Sequence, residues 1–144
     1  MQIKWKLNKL KELSHKEIYE IFKLRSKVFV VEQECVYLDL DGKDEEANHV
    51  LGKNKKQVVA YARIIKEKEK VYIGRIVVER ENRGKKIGEK LVKKCIKYIE
   101  ETNNEKEIMI SAQEYLESFY TKLGFKKTGK KYLEDGIPHQ EMKY

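Results

Sequence analysis

The most informative stretch of the chain is Val71–Gly88, which reads VYIGRIVVERENRGKKIG. An apolar strand runs through a short polar turn into the hexad Arg83-Gly84-Lys85-Lys86-Ile87-Gly88, which opens an amphipathic helix. The first N–H groups of a helix have no partner inside it, and the helix dipole places partial positive charge there. The two glycines leave the backbone open to an anion, and the basic side chains add formal charge. The hexad therefore predicts a site for a ligand that carries a pyrophosphate.

The composition is that of a charged globular protein. The chain has 144 residues, of which 40% are hydrophobic and 39% are charged, and we expect one domain over residues 1–144. No apolar run approaches membrane-spanning length, and the segment Met1–Lys6 lacks the apolar core of a signal peptide, so we expect a cytoplasmic protein. Cys35 and Cys95 lack the spacing of a metal site or a disulfide framework, and no metal is expected.

The formal net charge of +8 does not indicate a nucleic-acid partner. Lysine is interleaved with glutamate, as in Lys66–Lys70, which is typical of a solvated surface rather than a basic stripe. No ladder of aromatic residues suggests base stacking. We therefore expect neither a nucleic acid nor a membrane as partner, and the sequence leaves a monomer and a homodimer open.

Hydrophobic spacing predicts alternating strands and helices. Strands are expected near 3–7, 47–53, 57–66, 71–79 and 107–112, with two short strands in the tail around Asp135-Gly136. Helices are expected at 14–33, 84–101 and 115–123; Ser14 and Glu17 form a capping box, and Gly124 ends the third helix. A meander of antiparallel strands followed by a crossover implies a mixed α/β (α+β) sheet with helices on its faces.

The chain resembles the GCN5-related N-acetyltransferase (GNAT) superfamily over nearly its full length, and two sequence blocks carry the resemblance in the order in which the family has them. The family's pyrophosphate loop, Q/R-x-x-G-x-G/A, is matched by Arg83–Gly88, and its F-Y-x-x-x-G-F helix end by Phe119–Phe125. The runs Arg25–Gln33 and Glu134–His139 are similar to the ElaA-type acetyltransferases. The resemblance implies a GNAT fold with a mostly antiparallel central sheet, helices on both faces, and a fourth and fifth strand that splay apart.

The resemblance also implies that acetyl-coenzyme A is the cosubstrate. The residues that would hold it are Ile76, Val77, Val78, Arg83, Gly84, Lys85, Lys86, Ile87, Gly88, Gln113 and Tyr120. Tyr120 matches the family tyrosine that protonates the departing sulfur. Lys86 departs from the family, because the middle position of the loop is usually glycine. Its backbone N–H is still available, so we expect the change to be tolerated.

The acceptor side is less defined, because Lys70–Val78 contains no carboxylate where some members carry a glutamate at the start of strand four. Candidates for the base are Glu32, Glu34, Asp41, His49 and His139. We assign catalysis to Tyr120, His139 and Glu32, and acceptor binding to Arg25, Phe29, Glu32, Asp41, His49 and His139. Arg25 lies on an otherwise apolar helix face, which indicates an internal carboxylate partner. The acidic residues at 39–46 fit either a solvated turn or a lining that attracts a cationic amine.

The function that these observations favour is transfer of an acetyl group from acetyl-coenzyme A to a primary amine of a small molecule or peptide. Two alternatives stay open. One is an acyltransferase similar to the acyl-homoserine-lactone synthases, and the other is a non-catalytic module that binds acetyl-coenzyme A.

Overall fold

A computed structural model describes residues 2–103 and 106–144. The strands are β1 Lys4–Lys9, β2 Asn48–Asn54, β3 Gln57–Glu67, β4 Lys70–Val78, β5 Glu107–Gln113, β6 Lys126–Glu134 and β7 Ile137–Lys143. The helices are α1 His15–Arg25, α2 Ile87–Asn103 and α3 Glu117–Lys122, and a π-helical segment Ser26–Glu32 continues α1. Short 3₁₀ turns cover Leu10–Glu12, Arg80–Asn82 and Glu114–Leu116. The predicted order of elements is confirmed.

All seven strands join one sheet in the order β1-β2-β3-β4-β5-β7-β6. β4 and β5 pair in parallel, whereas the other neighbours pair antiparallel. Alternate side chains of the sheet enter two cores. Val50 packs with α2 on one face, and its neighbour Leu51 packs with α1 on the other. The mixed sheet with helices on both faces is therefore confirmed.

β4 and β5 separate halfway along their length, as predicted. Their pairing runs only from Lys70↔Glu107 to Ile73↔Ile110. Beyond that point β4 contains a bulge against β3, since Arg63 pairs with Gly74 whereas Tyr61 pairs with Val77. Arg75 lies in the bulge with φ +49°. A bulge bends its strand and re-aims the side chains, and this one opens a cleft between the two parallel strands.

The predicted helix 14–33 changes its winding midway. Beyond Arg25 the hydrogen bonds widen to i→i−5: the N–H of Gln33 donates to the Val28 carbonyl at 3.1 Å, and that of Cys35 donates to the Val30 carbonyl at 3.0 Å. A 3.6-residue hydrophobic period does not encode this change. The wider turn rotates the last residues of the segment, and both Phe29 and Gln33 line the cleft.

Helix α2 begins three residues later than predicted, at Ile87. Gly84 and Lys86 have φ of +79° and +61°, which are left-handed values that an α-helix excludes. Cys95 is fully buried on the apolar face of α2. Among residues 2–103 and 106–144, no helix is long and apolar enough to cross a membrane.

Candidate active site

The cleft between β4 and β5 encloses about 610 Å³, part of it open to solvent. It is lined by side chains from the π-helical segment, both separated strands, α3 and the β6–β7 hairpin. These residues are Phe29, Gln33, Tyr37, Ile73, Gly74, Arg75, Ile76, Ser111, Gln113, Leu116, Tyr120, Glu134, Ile137 and His139. Segments that are distant in the sequence thus meet at the point where β4 and β5 stop pairing.

The loop before α2 is open to an incoming group. A Cβ added at Gly84 would meet no atom within 4 Å, and one at Gly88 would only touch Phe119 and Val78 at 3.6 Å. Lys90 donates its N–H to the Lys86 carbonyl at 3.2 Å, so the amides before Lys90 precede the helical hydrogen-bond ladder. An exposed turn with these amides and basic side chains fits a diphosphate.

Arg83 holds the loop to its surroundings rather than extending into solvent. Its Nη1 and Nη2 donate to the Glu32 carboxylate at 2.7 and 3.2 Å, and its Nε donates to the Val78 carbonyl at 3.0 Å. Glu32, which the sequence suggested as a base, is therefore bound in a forked ion pair and does not line the cleft. This pair ties the end of the π-helical segment to the loop before α2.

Lys86 occupies a left-handed conformation that favours glycine, with φ +61°. We expect Lys86→Gly to raise the free energy of unfolding by about 0.5–1 kcal/mol, because relief of backbone strain outweighs the added entropy of the unfolded chain. Lys85→Gly removes the same charge at a position without a positive φ, so it should lower stability by about 0.5–1 kcal/mol. Urea unfolding measures both. Equal effects of the two variants would contradict the assignment of strain to Lys86.

Tyr120 lies at the inner end of the cleft and is 5% exposed. Its ring packs edge-on against Phe119 and Phe125, with centroid distances of 5.1 and 5.9 Å. Burial raises the pKa of the phenol above its ordinary value, with a small contribution from Tyr115. The hydroxyl makes no hydrogen bond to any residue in the described part of the chain. Tyr120 thus lines the cavity with a protonated phenol that has no acceptor among these residues.

His139 lies across the cleft on β7, opposite Gln113 of β5. Its ring is 6% exposed, and its Nδ1–H donates to the Ile137 carbonyl at 2.7 Å. Its Nε2 faces the Glu134 carboxylate at 3.3 Å. Gln113 also lines the cleft. Of the residues assigned to catalysis from the sequence, the structure brings Tyr120 and His139 to one cavity.

A buried ionic cluster lies behind the cleft. The fully buried guanidinium of Arg25 donates to Asp39 at 2.8 Å and to Asp44 at 2.6 Å, so the expected internal carboxylate partner is confirmed. Burial opposes ionisation of Asp44, but the hydrogen bonds and charges of Arg25 and Arg63 outweigh it and hold its pKa below the ordinary value. Asp39 and Asp44 are 8% and 7% exposed, so they form neither a solvated turn nor a lining of the cleft.

Arg75 and Arg63 extend this cluster toward the cleft. Arg75, which lines the cavity, donates from Nε to Asp39 at 2.8 Å. Arg63 donates to Asp44 at 3.0 Å, and its two terminal nitrogens donate to the two carboxylate oxygens of Asp41. The hydrogen bonding and the positive charge of Arg63 hold the pKa of Asp41 well below its usual range. The cluster therefore fixes the acidic segment against the bulge that opens the cleft.

His49 is also interior. It is fully buried, with Nδ1 against the Tyr61 hydroxyl and Nε2 donating to the Asp44 carbonyl at 2.8 Å. Burial lowers the pKa of its imidazole. Arg25, His49 and Asp41 do not line the cleft, whereas Phe29 does, so we assign the first three to support of the site and not to contact with an acceptor.

Sequence reasoning missed five polar residues that line the cleft: Gln33, Tyr37, Arg75, Ser111 and Glu134. Arg75 and Tyr37 carry no local signal, since a strand bulge and an extended loop bring them there. Glu134 could have been found, because a two-residue Asp-Gly turn fixes the hairpin register that places it near His139.

Comparison with known proteins agrees with this architecture. The family model for an acetyltransferase (GNAT) domain matches residues 10–144. Protein ElaA of Escherichia coli is 40% identical over 142 residues, which cover 95% of this chain and 93% of that protein. The crystal structure of Escherichia coli ElaA superposes with a TM-score of 0.93 over 98% of this chain and 99% of that one.

Two further structures bear on the alternatives. An acyl-CoA N-acyltransferase from Pseudomonas aeruginosa is 33% identical, with a TM-score of 0.93 and 99% of both chains covered. The CoA-dependent acyl-homoserine lactone synthase BjaI has a TM-score of 0.82 over 99% of this chain and 82% of its own, but at 14% identity the likeness shows the fold alone. With the family model and the close relatives both spanning most of its length, the chain belongs to the GNAT acetyltransferase family.

Proposed function

We propose that the protein is an N-acetyltransferase that moves the acetyl group of acetyl-coenzyme A to a primary amine. The observation that carries the proposal is one cavity with three features. It opens where β4 leaves β5, it is lined by Tyr120, whose hydroxyl has no hydrogen-bond partner among the described residues, and its β4 wall continues into the open loop before α2. An amine and a thioester held side by side here would react as if within one molecule.

The cosubstrate would bind mainly to backbone. Beyond Ile73 the edge of β4 that faces β5 has no strand partner among the described residues, so the backbone at Ile76–Val78 can pair with an extended pantetheine arm as an added strand would. The amides of Gly84–Gly88 would hold the diphosphate, with Lys85 and Lys86 nearby. Gln113 and Tyr120 lie further along the same cleft. Bound there, the thioester supplies an electrophilic carbonyl carbon and a thiolate leaving group.

Tyr120 acts as the general acid and His139 as the base. The acceptor nitrogen gives a proton to Nε2 of His139 and then bonds to the carbonyl carbon as the carbon–sulfur bond breaks. Tyr120 donates its phenolic proton to the sulfur, and its raised pKa keeps that proton in place until then. The second amine proton passes to solvent, from which the phenol is restored.

Thermal unfolding and a thiol-release assay test the proposal together. Acetyl-coenzyme A at about 100 times its Kd should stabilise the protein by about 2.7 kcal/mol and raise its Tm. A panel of primary amines should then release coenzyme A, detected with a thiol reagent. An acetyl-coenzyme A sensor would show the Tm increase without thiol release. Absence of any Tm increase at millimolar ligand would contradict cosubstrate binding itself.

A further inference from the structure

The β6–β7 hairpin presents one face of side chains to the cleft. Its two-residue Asp-Gly turn has left-handed φ at both positions, +54° and +78°, and sets the pairs Glu134↔Ile137 and Tyr132↔His139. Because strand side chains alternate, Glu134 and His139 lie diagonally on the same face, and both line the cavity.

The imidazole of His139 is held firmly in this position. Its ring stacks on Tyr132 with a centroid distance of 6.3 Å and an interplanar angle of 14°. The Tyr132 hydroxyl in turn contacts Ser111 on β5. Since Nδ1–H is used by the Ile137 carbonyl, only Nε2 is left to face the cavity, 3.3 Å from the carboxylate of Glu134.

Among the described residues that line the cleft, Glu134 is the carboxylate, and it contacts the imidazole of His139 rather than a lysine or an arginine. Within the described part of the chain, the titratable and charged side chains that line the cavity are Tyr37, Arg75, Tyr120, Glu134 and His139. The positive charge of Arg75 is balanced by the carboxylate of Asp39, which does not line the cavity. The side chain of Glu134 is 48% exposed, and its contact is with the imidazole. When the imidazole of His139 is neutral, as a proton acceptor must be, the net charge that these side chains present to an acceptor is negative.

We propose that Glu134 and His139 form a site for a primary alkylammonium, with Glu134 as the residue that selects a cationic acceptor. The carboxylate accepts hydrogen bonds from the –NH₃⁺ group, and Nε2 of His139 accepts the proton that the group gives up before attack. Phe29, Leu116 and Ile137 line the same cavity, so the favoured acceptor carries an apolar substituent. Among the described residues that line the site, the guanidinium of Arg75 is paired with Asp39 and is not left for a substrate carboxylate. The role of this site in turnover rests on the proposed acetyl transfer, whereas the binding of an ammonium group to it does not.

Phenethylammonium and its neutral isostere 2-phenylethanol are the probes. Binding is followed by the ring-proton resonance of His139, assigned with a His139→Gln variant. Wild-type protein should bind phenethylammonium at least tenfold more tightly than 2-phenylethanol. Glu134→Gln keeps the shape of the side chain and should remove that preference. Glu114→Gln, at a carboxylate of similar exposure outside the cleft, should retain it.

Equal affinity of the wild type for both probes, or an unchanged preference in Glu134→Gln, would overturn the ammonium site. Circular dichroism of each variant excludes unfolding as the cause. The binding readout is separate from the acetyl-coenzyme A experiments. A preference for the cation without thiol release would therefore contradict the proposed function and support this site. Thiol release without a preference for the cation would support the proposed function and contradict this site.

Discussion

Tyr120→Phe should lower kcat by about 100-fold or more while leaving the Tm increase with acetyl-coenzyme A unchanged. The substitution removes one oxygen and keeps the ring that packs against Phe119 and Phe125. Because the hydroxyl makes no hydrogen bond within the described residues, its loss leaves no unpaired group behind. What disappears is the proton for the departing sulfur. Steady-state thiol release with an amine identified from the panel measures the effect.

Tyr19→Phe is the matched control, since Tyr19 is 64% exposed on α1 and outside the cleft. It should change neither kcat nor Tm. If Tyr120→Phe turned over at the rate of the wild type, Tyr120 would have no part in the chemistry. If the variant lost the acetyl-coenzyme A Tm increase instead, its role would be binding and not acid catalysis.

Arg25→Met should lower the free energy of unfolding by about 3–5 kcal/mol, because it leaves the buried ionic cluster of Asp39 and Asp44 one positive charge short, with only Arg75 and Arg63 as cations. Arg25 is fully buried and holds both Asp39 and Asp44 at hydrogen-bond distance. Methionine fills similar space, so cavity formation contributes little. Lys23→Met removes an exposed cation from the same helix and should stay within about 0.5 kcal/mol. Denaturant unfolding at pH 7 gives both values.

The stability that Arg25→Met loses relative to the wild type should depend on pH in a defined direction. The pKa of Asp44 is lowered in the folded protein, where Arg25 and Arg63 outweigh burial. A lowered pKa gives stability that is present above the ordinary carboxyl pKa and is lost as pH falls through the lowered value. The difference between wild type and Arg25→Met should therefore shrink in acid, below about pH 4. A difference that is constant from pH 7 to pH 3 would contradict the ion-pair origin.

Local patterns in the sequence were enough to predict the sheet and the elements that we propose hold the cosubstrate. The strand–turn–helix at Val71–Gly88 and the helix end at Phe119–Phe125 are contiguous signals, and the elements that they predict are confirmed. The late start of α2 was not predicted, because the left-handed φ of Lys86 comes from the loop's path rather than from residue preference.

The residues on the acceptor side of the cleft could not be predicted from local sequence patterns. Arg25 and Asp39 are separated in sequence, and the bulge at Arg75 closes the cluster only after β3 and β4 have paired. Glu32 looked like a free carboxylate in the sequence but meets Arg83 in space. Such pairings depend on long-range packing, which a single sequence does not display.

Stoichiometric acetyl transfer in the presence of acetyl-coenzyme A is the most direct test of the site. Mass spectrometry of the amine panel should find an N-acetylated product, with one coenzyme A thiol released for each product molecule and a strongly reduced yield in Tyr120→Phe. A protein that binds acetyl-coenzyme A yet forms no acetylated amine, with thiol release no faster than hydrolysis without protein, would contradict the assignment of this cleft to N-acetyl transfer.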